Sequence, residues 1–144
     1  MYTRLVTFSI ALLVCVNCNS QGVPLPTIAM VKPVDSINSQ AKSFHGRWEG
    51  RWGGNMPHVL VVEQVKSDTE AMAVYAWEEP PADGSWSGGW VRVAANIDGG
   101  TLRVPLRNGP KAWYEMQSDG SLKGSYQRSS GAQIYYATMK KVAE

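Results

Sequence analysis

The stretch that decides the fold is GRWEGRWGG, residues 46–54, in which two Gly-Arg-Trp units stand four residues apart. In a helix, each of its glycines would cost about 1 kcal/mol relative to alanine. In a strand, alternate side chains share a face, so Trp48 and Trp52 lie on one side with Gly50 between them. The charged residues at 47, 49 and 51 then lie on the other side. This pattern predicts a strand with an aromatic, buried face and a charged, solvated face.

Further strand-like segments follow at steps of roughly ten residues, divided by turn signals. Asp98-Gly99-Gly100, Asn108-Gly109-Pro110 and Ser118-Asp119-Gly120 are typical hairpin turns, because glycine and asparagine readily adopt positive φ. No segment shows the 3.6-residue period of a helix. Including the opening strand, the pattern predicts eight strands, the others at 57–65, 70–78, 88–97, 101–107, 111–117, 121–128 and 132–142.

Short connections make consecutive strands antiparallel neighbours. Eight such strands leave two open edges unless the first strand pairs with the last, and closure removes both edges. We therefore predict an all-β fold, an eight-stranded antiparallel up-and-down β-barrel that is closed or nearly closed. An open two-sheet sandwich is the alternative.

Pro105 interrupts the fifth predicted strand, since proline cannot donate a ladder hydrogen bond. A bulge or a gap beside this strand would accommodate it. If water or a ligand enters the barrel through a gap, the sequence places that gap along strand five.

The first 20 residues have the layout of a secretory signal peptide. A short basic lead precedes an apolar run of ten residues, 5–14, which is too short to span a membrane. Cleavage after Ser20 or Gly22 would release a soluble protein, whereas acylation of Cys18 would give a lipoprotein. We therefore expect an exported protein, either periplasmic or secreted. If Cys18 is acylated, the lipid anchor is the protein's only contact with a membrane and holds it at the outer membrane.

Residues 21–43 contain three prolines and no aromatic residue, which favours a flexible linker. The barrel domain is predicted to span residues 44–142. Both cysteines of the chain, Cys15 and Cys18, precede it, so the domain depends on burial rather than on disulfides. The formal net charge is +2, and without a clustered basic face the sequence predicts no nucleic-acid partner.

The Gly46-Arg47-Trp48 unit resembles the first strand of calycin-type barrels, which include lipocalins, fatty-acid-binding proteins and avidins. In that group the indole closes one end of the barrel under a basic residue from the last strand. The resemblance assigns this closing role to Trp48, with Lys140 or Lys141 as its cation–π partner. Lipocalins are longer and usually carry a flanking helix and disulfides, which this sequence does not predict.

The chain also resembles small exported bacterial domains of uncharacterised activity. These begin with Trp-x-Gly, here residues 48–50, and carry a late Asp-Gly-x-Leu-x-Gly-x-Tyr, here residues 119–126. The resemblance assigns no activity.

Catalytic patterns are not evident in the sequence. GSWSG, residues 84–88, has Trp86 where a nucleophile elbow needs serine. The two histidines, His45 and His58, have no metal-ligand spacing. We therefore predict a protein that is not an enzyme and that needs no cofactor or metal.

Aromatic residues are the remaining functional signal. Tyr75, Trp77 and Trp90 are predicted to line the mouth of the barrel, and Trp86, on the longest connection, to cover it. The leading hypothesis is a binding module for a small apolar or sugar-like ligand that stacks on aromatic rings. Packing of these aromatics in a solid core is the alternative. In that case the protein would be an interaction or protease-inhibitor-like domain that contacts an envelope protein through residues 78–89.

Overall fold

A computed structural model describes residues 22–78 and 87–143. Eight antiparallel strands form a closed barrel in chain order, and β8 pairs with β1. This confirms the predicted barrel and excludes the open sandwich. Within the two described ranges, no helix has both the length and the apolar character needed to cross a membrane. The elements are α1 (Ser39–Ser43), β1 (Gly46–Trp52), β2 (Met56–Val65), β3 (Glu70–Trp77), β4 (Gly89–Asp98), β5 (Thr101–Pro105), β6 (Lys111–Met116), β7 (Leu122–Gln127) and β8 (Ile134–Val142).

Strand β1 has the two faces that its sequence predicts. Trp48 and Trp52 are almost fully buried inside the barrel, whereas Arg47 and Glu49 form an ion pair of 2.6 Å on the outside. Gly50 lies between the tryptophans, where β8 crosses β1. A Cβ atom there would lie 2.6 Å from the carbonyl oxygen of Thr138, so glycine is needed for the close approach of the two strands.

The odd-numbered strands all end at one end of the barrel, which we call the mouth, and the opposite end is the base. The base is filled, since Phe44 and Trp48 are buried there beneath α1 and Ile37. The side chain of Asn38 caps α1 by accepting a 2.8 Å hydrogen bond from the Ala41 amide. This single-turn helix was not predicted, because five residues are too few to show a helical period.

Residues 22–31, which we call the strap, lie in the segment that we predicted as a flexible linker. In the structure the strap packs on the outer wall of the barrel. Its apolar side chains cover Val59, Val61, Val74 and Ala76 on β2 and β3, and it forms an isolated parallel bridge from Val31 to Gln64. The segment is ordered because burial of its apolar side chains offsets the entropy lost on ordering. The strap contributes Val23, Leu25, Ile28 and Met30 to this cluster.

Of the two ways of accommodating Pro105 that the sequence left open, a bulge or a gap beside strand five, the structure shows the gap. Strands β4 and β5 pair only near the base, where residues 96–98 face residues 101–103. Pro105 pairs with Lys111 of β6 but has no partner on β4. The wall between β4 and β5 therefore opens toward the mouth.

Candidate functional site

A cavity of about 280 Å³ occupies the mouth half of the barrel, next to the gap between β4 and β5. Most of its lining is apolar, and the polar side chains on it are those of Ser87 and Arg107, together with the tyrosine hydroxyls. Its aromatic residues are Trp52, Tyr75, Trp77 and Tyr126, and its aliphatic residues are Met56, Val91, Leu106 and Pro110.

Trp77 is held in place by the first residues of β4. Its indole Nε1 donates a 3.0 Å hydrogen bond to the carbonyl oxygen of Ser87. Its ring packs over Gly89, its neighbour in the β3–β4 pairing, where a Cβ atom would lie 3.0 Å from Trp77 Cζ2. The Tyr75 ring lies 5.9 Å from the Trp77 ring on the same face of β3. The alternation of β3 thus directs both rings into the cavity.

Trp52 ends β1 at the mouth and packs against Tyr126 at 5.9 Å between ring centroids. Gly124 of β7 leaves room for the indole, since a Cβ atom there would lie 3.1 Å from Trp52 Cη2. The Nε1 atom of Trp52 is buried and makes no hydrogen bond of normal geometry. A weak interaction of Trp52 with the Tyr75 hydroxyl remains, and it opposes part of the rise in the pKa of Tyr75 that burial causes.

A buried polar pair, which we call the floor, lies beneath the cavity, behind its lining residues Trp52 and Tyr75. His58 Nδ1 lies 2.7 Å from the carbonyl oxygen of Ala76, and His58 Nε2 lies 2.7 Å from the Tyr114 hydroxyl. Because a carbonyl only accepts, Nδ1 carries the proton, and the Tyr114 hydroxyl donates to Nε2. The His58 ring also lies 4.9 Å from that of Trp52 and 4.4 Å from that of Tyr75. This floor joins the cavity to the filled core.

Burial sets the protonation of these groups. It lowers the pKa of His58 from its ordinary value of 6.5 to about 3, with the hydrogen bond to Ala76 opposing the shift. Burial also raises the pKa of Tyr75 and of Tyr114 above the ordinary value of 10. The floor is therefore neutral at physiological pH, and the tyrosine hydroxyls keep their protons. The inner wall of the cavity, with the neutral hydroxyl of Tyr75 and no charged group beneath it among these residues, suits an uncharged part of a ligand.

The structure brings together two of the residues predicted to line the mouth. Tyr75 and Trp77 face the cavity, whereas Trp90 lies on the outer face of β4 and is 42% exposed, with Arg92 5.9 Å from its ring centroid. The predicted cover, Trp86, lies outside the described residues. So does Cys18, the predicted lipidation site.

At the base, the basic partner of Trp48 is Lys141 rather than Lys140. Lys141 Nζ lies 5.2 Å from the centroid of the Trp48 ring, and the two residues are paired across β1 and β8. Lys140 pairs with Glu49 and shares the exposed outer face. Since successive side chains of a strand point to opposite faces, only one of the two lysines can reach the indole.

Three residues of the cavity were not predicted as ligand-site residues: Trp52, Tyr126 and Arg107. The positions of Trp52 and Tyr126 could have predicted them, because each lies at or next to the end of an odd-numbered strand, as Trp77 does. Arg107 follows β5 in a turn, and nothing in the sequence distinguishes it from other exposed arginines.

A larger groove, of about 1330 Å³, runs over the outside of β1. Its walls carry charged side chains, including Arg51, Lys123 and Lys140. Its exposed aromatic ring, Tyr136, is already in contact with Lys123, whose Nζ lies 5.3 Å from the ring centroid. Polar and apolar atoms line this groove to a similar extent, whereas the lining of the mouth cavity is mainly apolar.

Within residues 22–78 and 87–143, no three histidine, cysteine, aspartate or glutamate side chains converge as metal ligands would. No protein-family model matches the chain, and no curated protein matches it either.

Proposed function

We propose that the protein is an exported, non-enzymatic binding module that holds a small apolar or sugar-like ligand in the mouth cavity. The observation that carries the proposal is the aromatic-walled cavity above a filled base. Ligand sites in proteins are typically concave, mainly apolar and about 300–1,000 Å³ in volume. At about 280 Å³, this cavity suits a ligand with one ring and small substituents.

The walls favour a flat or ring-shaped ligand. Trp77 and Tyr75 meet at 46° between ring planes, so the two residues present rings at different angles to the cavity. Tyr126 and Trp52 meet at 45° on the other side. Aromatic faces bind other rings and the apolar faces of sugars through dispersion and quadrupole interactions. The gap between β4 and β5 gives such a ligand a lateral route to the cavity.

The calycin resemblance supports the same proposal. A Gly-x-Trp tryptophan at the base, beneath a lysine from the last strand, is the arrangement that the resemblance predicts, and Trp48 and Lys141 have it. With the base closed in this way, the mouth is the end at which a ligand enters.

The experiment has two parts. Native mass spectrometry on the protein isolated from its own compartment detects a retained ligand, and a panel of lipids, sugars and ring compounds is titrated while tryptophan emission is followed. We expect an added mass or quenching by at least one panel member. A bare mass together with unchanged emission across the panel would overturn the proposal.

Two tryptophans at the ends of paired strands provide a matched pair of variants. Trp77→Ala removes a cavity wall, whereas Trp90→Ala removes an indole from the outer face of the next strand. We expect the first variant to weaken binding at least tenfold and the second to leave it unchanged, since one buried aromatic contact contributes about 1.5–3 kcal/mol. Equal effects of both substitutions would place the ligand elsewhere.

A further inference from the structure

Arg107 is the one charged side chain that lines the mouth cavity among the residues that the structure describes. It lies in the connection between β5 and β6, at the rim. The other lining residues of this part of the barrel, Leu106 and Pro110, are apolar. A cationic group at the edge of an apolar cavity is the arrangement that binds an amphipathic anion.

The turn that carries Arg107 is well defined. The Leu106 amide donates a 3.0 Å hydrogen bond to the carbonyl oxygen of Pro110 and closes the connection. Within it, Asn108 and Gly109 have positive φ angles of 65° and 100°, conformations that asparagine and glycine adopt readily. The turn thus holds the Arg107 backbone in place at the rim before any ligand arrives.

The surroundings of Arg107 are basic. In residues 22–78 and 87–143 the ion pairs are Arg47–Glu49, Arg92–Glu63 and Arg103–Asp98, so none includes Arg107, Lys111 or Arg128. Lys111 pairs with Gln127 across β6 and β7, which places Lys111 close to Arg128 on the same side of the mouth. The charge of Arg128 also acts on the cavity residue Tyr126, where it opposes the rise in pKa that burial causes. The part of the rim at β5, β6 and β7 therefore carries positive charge, whereas the acidic residue Glu78 lies at the mouth end of β3.

We propose that the ligand is a small organic acid whose carboxylate pairs with Arg107 while its apolar body lies against the aromatic walls. This inference rests on the proposed function and specifies the chemical class of the ligand. The planar guanidinium group forms two parallel hydrogen bonds with a carboxylate, which fixes the orientation of the acid as well as its charge. The uncharged end then lies against Trp52 and Tyr75, which separate the cavity from the neutral pair of His58 and Tyr114.

The test compares acids with neutral amides of the same shape. The natively purified protein is titrated with benzoate and benzamide, with phenylacetate and phenylacetamide, and with isovalerate and isovaleramide, at a pH at which the acids are ionised. Calorimetry and tryptophan emission report binding. We expect each acid to bind about tenfold or more tightly than its amide, the effect of one hydrogen bond to a charged group.

Arg107→Gln should remove this difference, because it weakens the binding of the acids more than that of the amides, and Arg107→Lys should retain part of the difference. Arg103→Gln is the matched control, because Arg103 lies on the outer face of β5 and is more than half exposed beside Asp98. It should leave the preference for acids intact.

The outcomes separate this inference from the proposed function. If amides bind as well as acids, and Arg107→Gln changes neither affinity, the binding module stands and the organic acid is excluded. A preference for acids that persists in Arg107→Gln also overturns the role of Arg107. If neither acids nor amides bind, and the broader panel also fails, the proposed function falls and this inference falls with it.

Discussion

Lys141 Nζ lies 5.2 Å from the centroid of the Trp48 ring, across the pairing at which the last strand of the barrel meets the first. The same indole donates a 2.9 Å hydrogen bond from Nε1 to the carbonyl oxygen of Phe44. The stem of Lys141 passes over Gly46, where a Cβ atom would lie 2.7 Å from Lys141 Cε and where φ is 124°. Glycine two residues before the tryptophan is required by this positive φ, whereas the flexible lysine stem can shift away from a Cβ atom.

Replacing Lys141 tests this contact. Lys141→Ala removes the cation–π interaction and the lysine stem, and we expect it to lower the free energy of unfolding by about 0.5–1 kcal/mol, as for a partly exposed contact of this type. Lys140→Ala, on the outer face of the same strand, should change it by less than about 0.5 kcal/mol. Urea unfolding of both variants measures the difference. Equal decreases in the free energy of unfolding of the two variants would show that Lys141 contributes no more to stability than a surface lysine does.

The two tryptophans of β1 provide a second comparison, because their indole N–H groups differ. Trp48 Nε1 donates a well-formed hydrogen bond to Phe44, whereas Trp52 Nε1 is buried and has only a weak interaction with the Tyr75 hydroxyl. Trp48→Phe leaves a buried carbonyl unpaired, while Trp52→Phe removes a donor that makes no hydrogen bond of normal geometry. With a similar loss of ring volume in both, we expect Trp48→Phe to be more destabilising by about 1–3 kcal/mol. Urea unfolding measures the free energy of unfolding of both variants. A larger decrease for Trp52→Phe than for Trp48→Phe would contradict this prediction.

The sequence predicted the strands well because alternation and hairpin glycines are local signals. We predicted that Trp90 lines the cavity because the long connection before β4 leaves the register of that strand undetermined by the sequence. Yet Arg92 and Asn96 lie on the same face of β4 as Trp90, and polar residues on that face indicate that it is the outer one. The cavity itself could not be predicted, since it depends on how far β4 and β5 diverge beyond residue 103.

The packing of the strap on the barrel wall was not predicted, for a different reason. Its apolar residues are separated by prolines and show no sustained period, so their burial depends on a matching surface elsewhere. That surface is the outer face of β2 and β3, where Val59, Val61 and Val74 are exposed positions of a typical barrel but are buried here. Outward valines on two neighbouring strands are the signal that an additional segment covers them.

Arg92 holds the strap in place. It makes two hydrogen bonds to the Glu63 carboxylate, of 2.8 and 3.0 Å, and a third to the carbonyl oxygen of Thr27. Glu63 in turn accepts from the Ala29 amide, and its carbonyl accepts from the Val31 amide. The hydrogen bonds from Arg92 are the main reason that the pKa of Glu63 is below its ordinary value.

Arg92→Gln should therefore loosen the strap, because the Glu63 side chain, only 5% exposed, loses its counterion. We expect a loss of about 1–3 kcal/mol in the free energy of unfolding and faster amide exchange at Ala29 and Val31. Arg103→Gln, which breaks an exposed ion pair with Asp98, should leave exchange in the strap unchanged. Unaltered protection of Ala29 and Val31 in Arg92→Gln would show that the apolar contacts alone hold the strap.

The buried imidazole of His58 makes the stability of the barrel depend on pH. Burial lowers its pKa from 6.5 to about 3 in the folded protein, whereas the unfolded chain restores the ordinary value. Between these two values the unfolded state binds one more proton than the folded state. The contribution of His58 is therefore complete above pH 6.5 and is lost as the pH falls toward 3, by about 1.4 kcal/mol per pH unit and about 4–5 kcal/mol in total.

Urea unfolding at several values between about pH 5 and pH 6 measures this slope in a range where most carboxylates remain ionised in both states. His58→Gln should abolish this contribution to the slope. The His58 imidazole resonances of the folded wild-type protein, distinguished from those of His45 by their contacts with the Trp52 and Tyr75 rings, should stay those of the neutral form, with the proton on Nδ1, throughout the range. This NMR titration needs no variant, so it decides the matter even if the substituted protein does not fold. A His58 imidazole that titrates near pH 6.5 in the folded state would show that His58 reaches solvent, and the neutral pair of His58 and Tyr114 beneath the cavity would then be wrong.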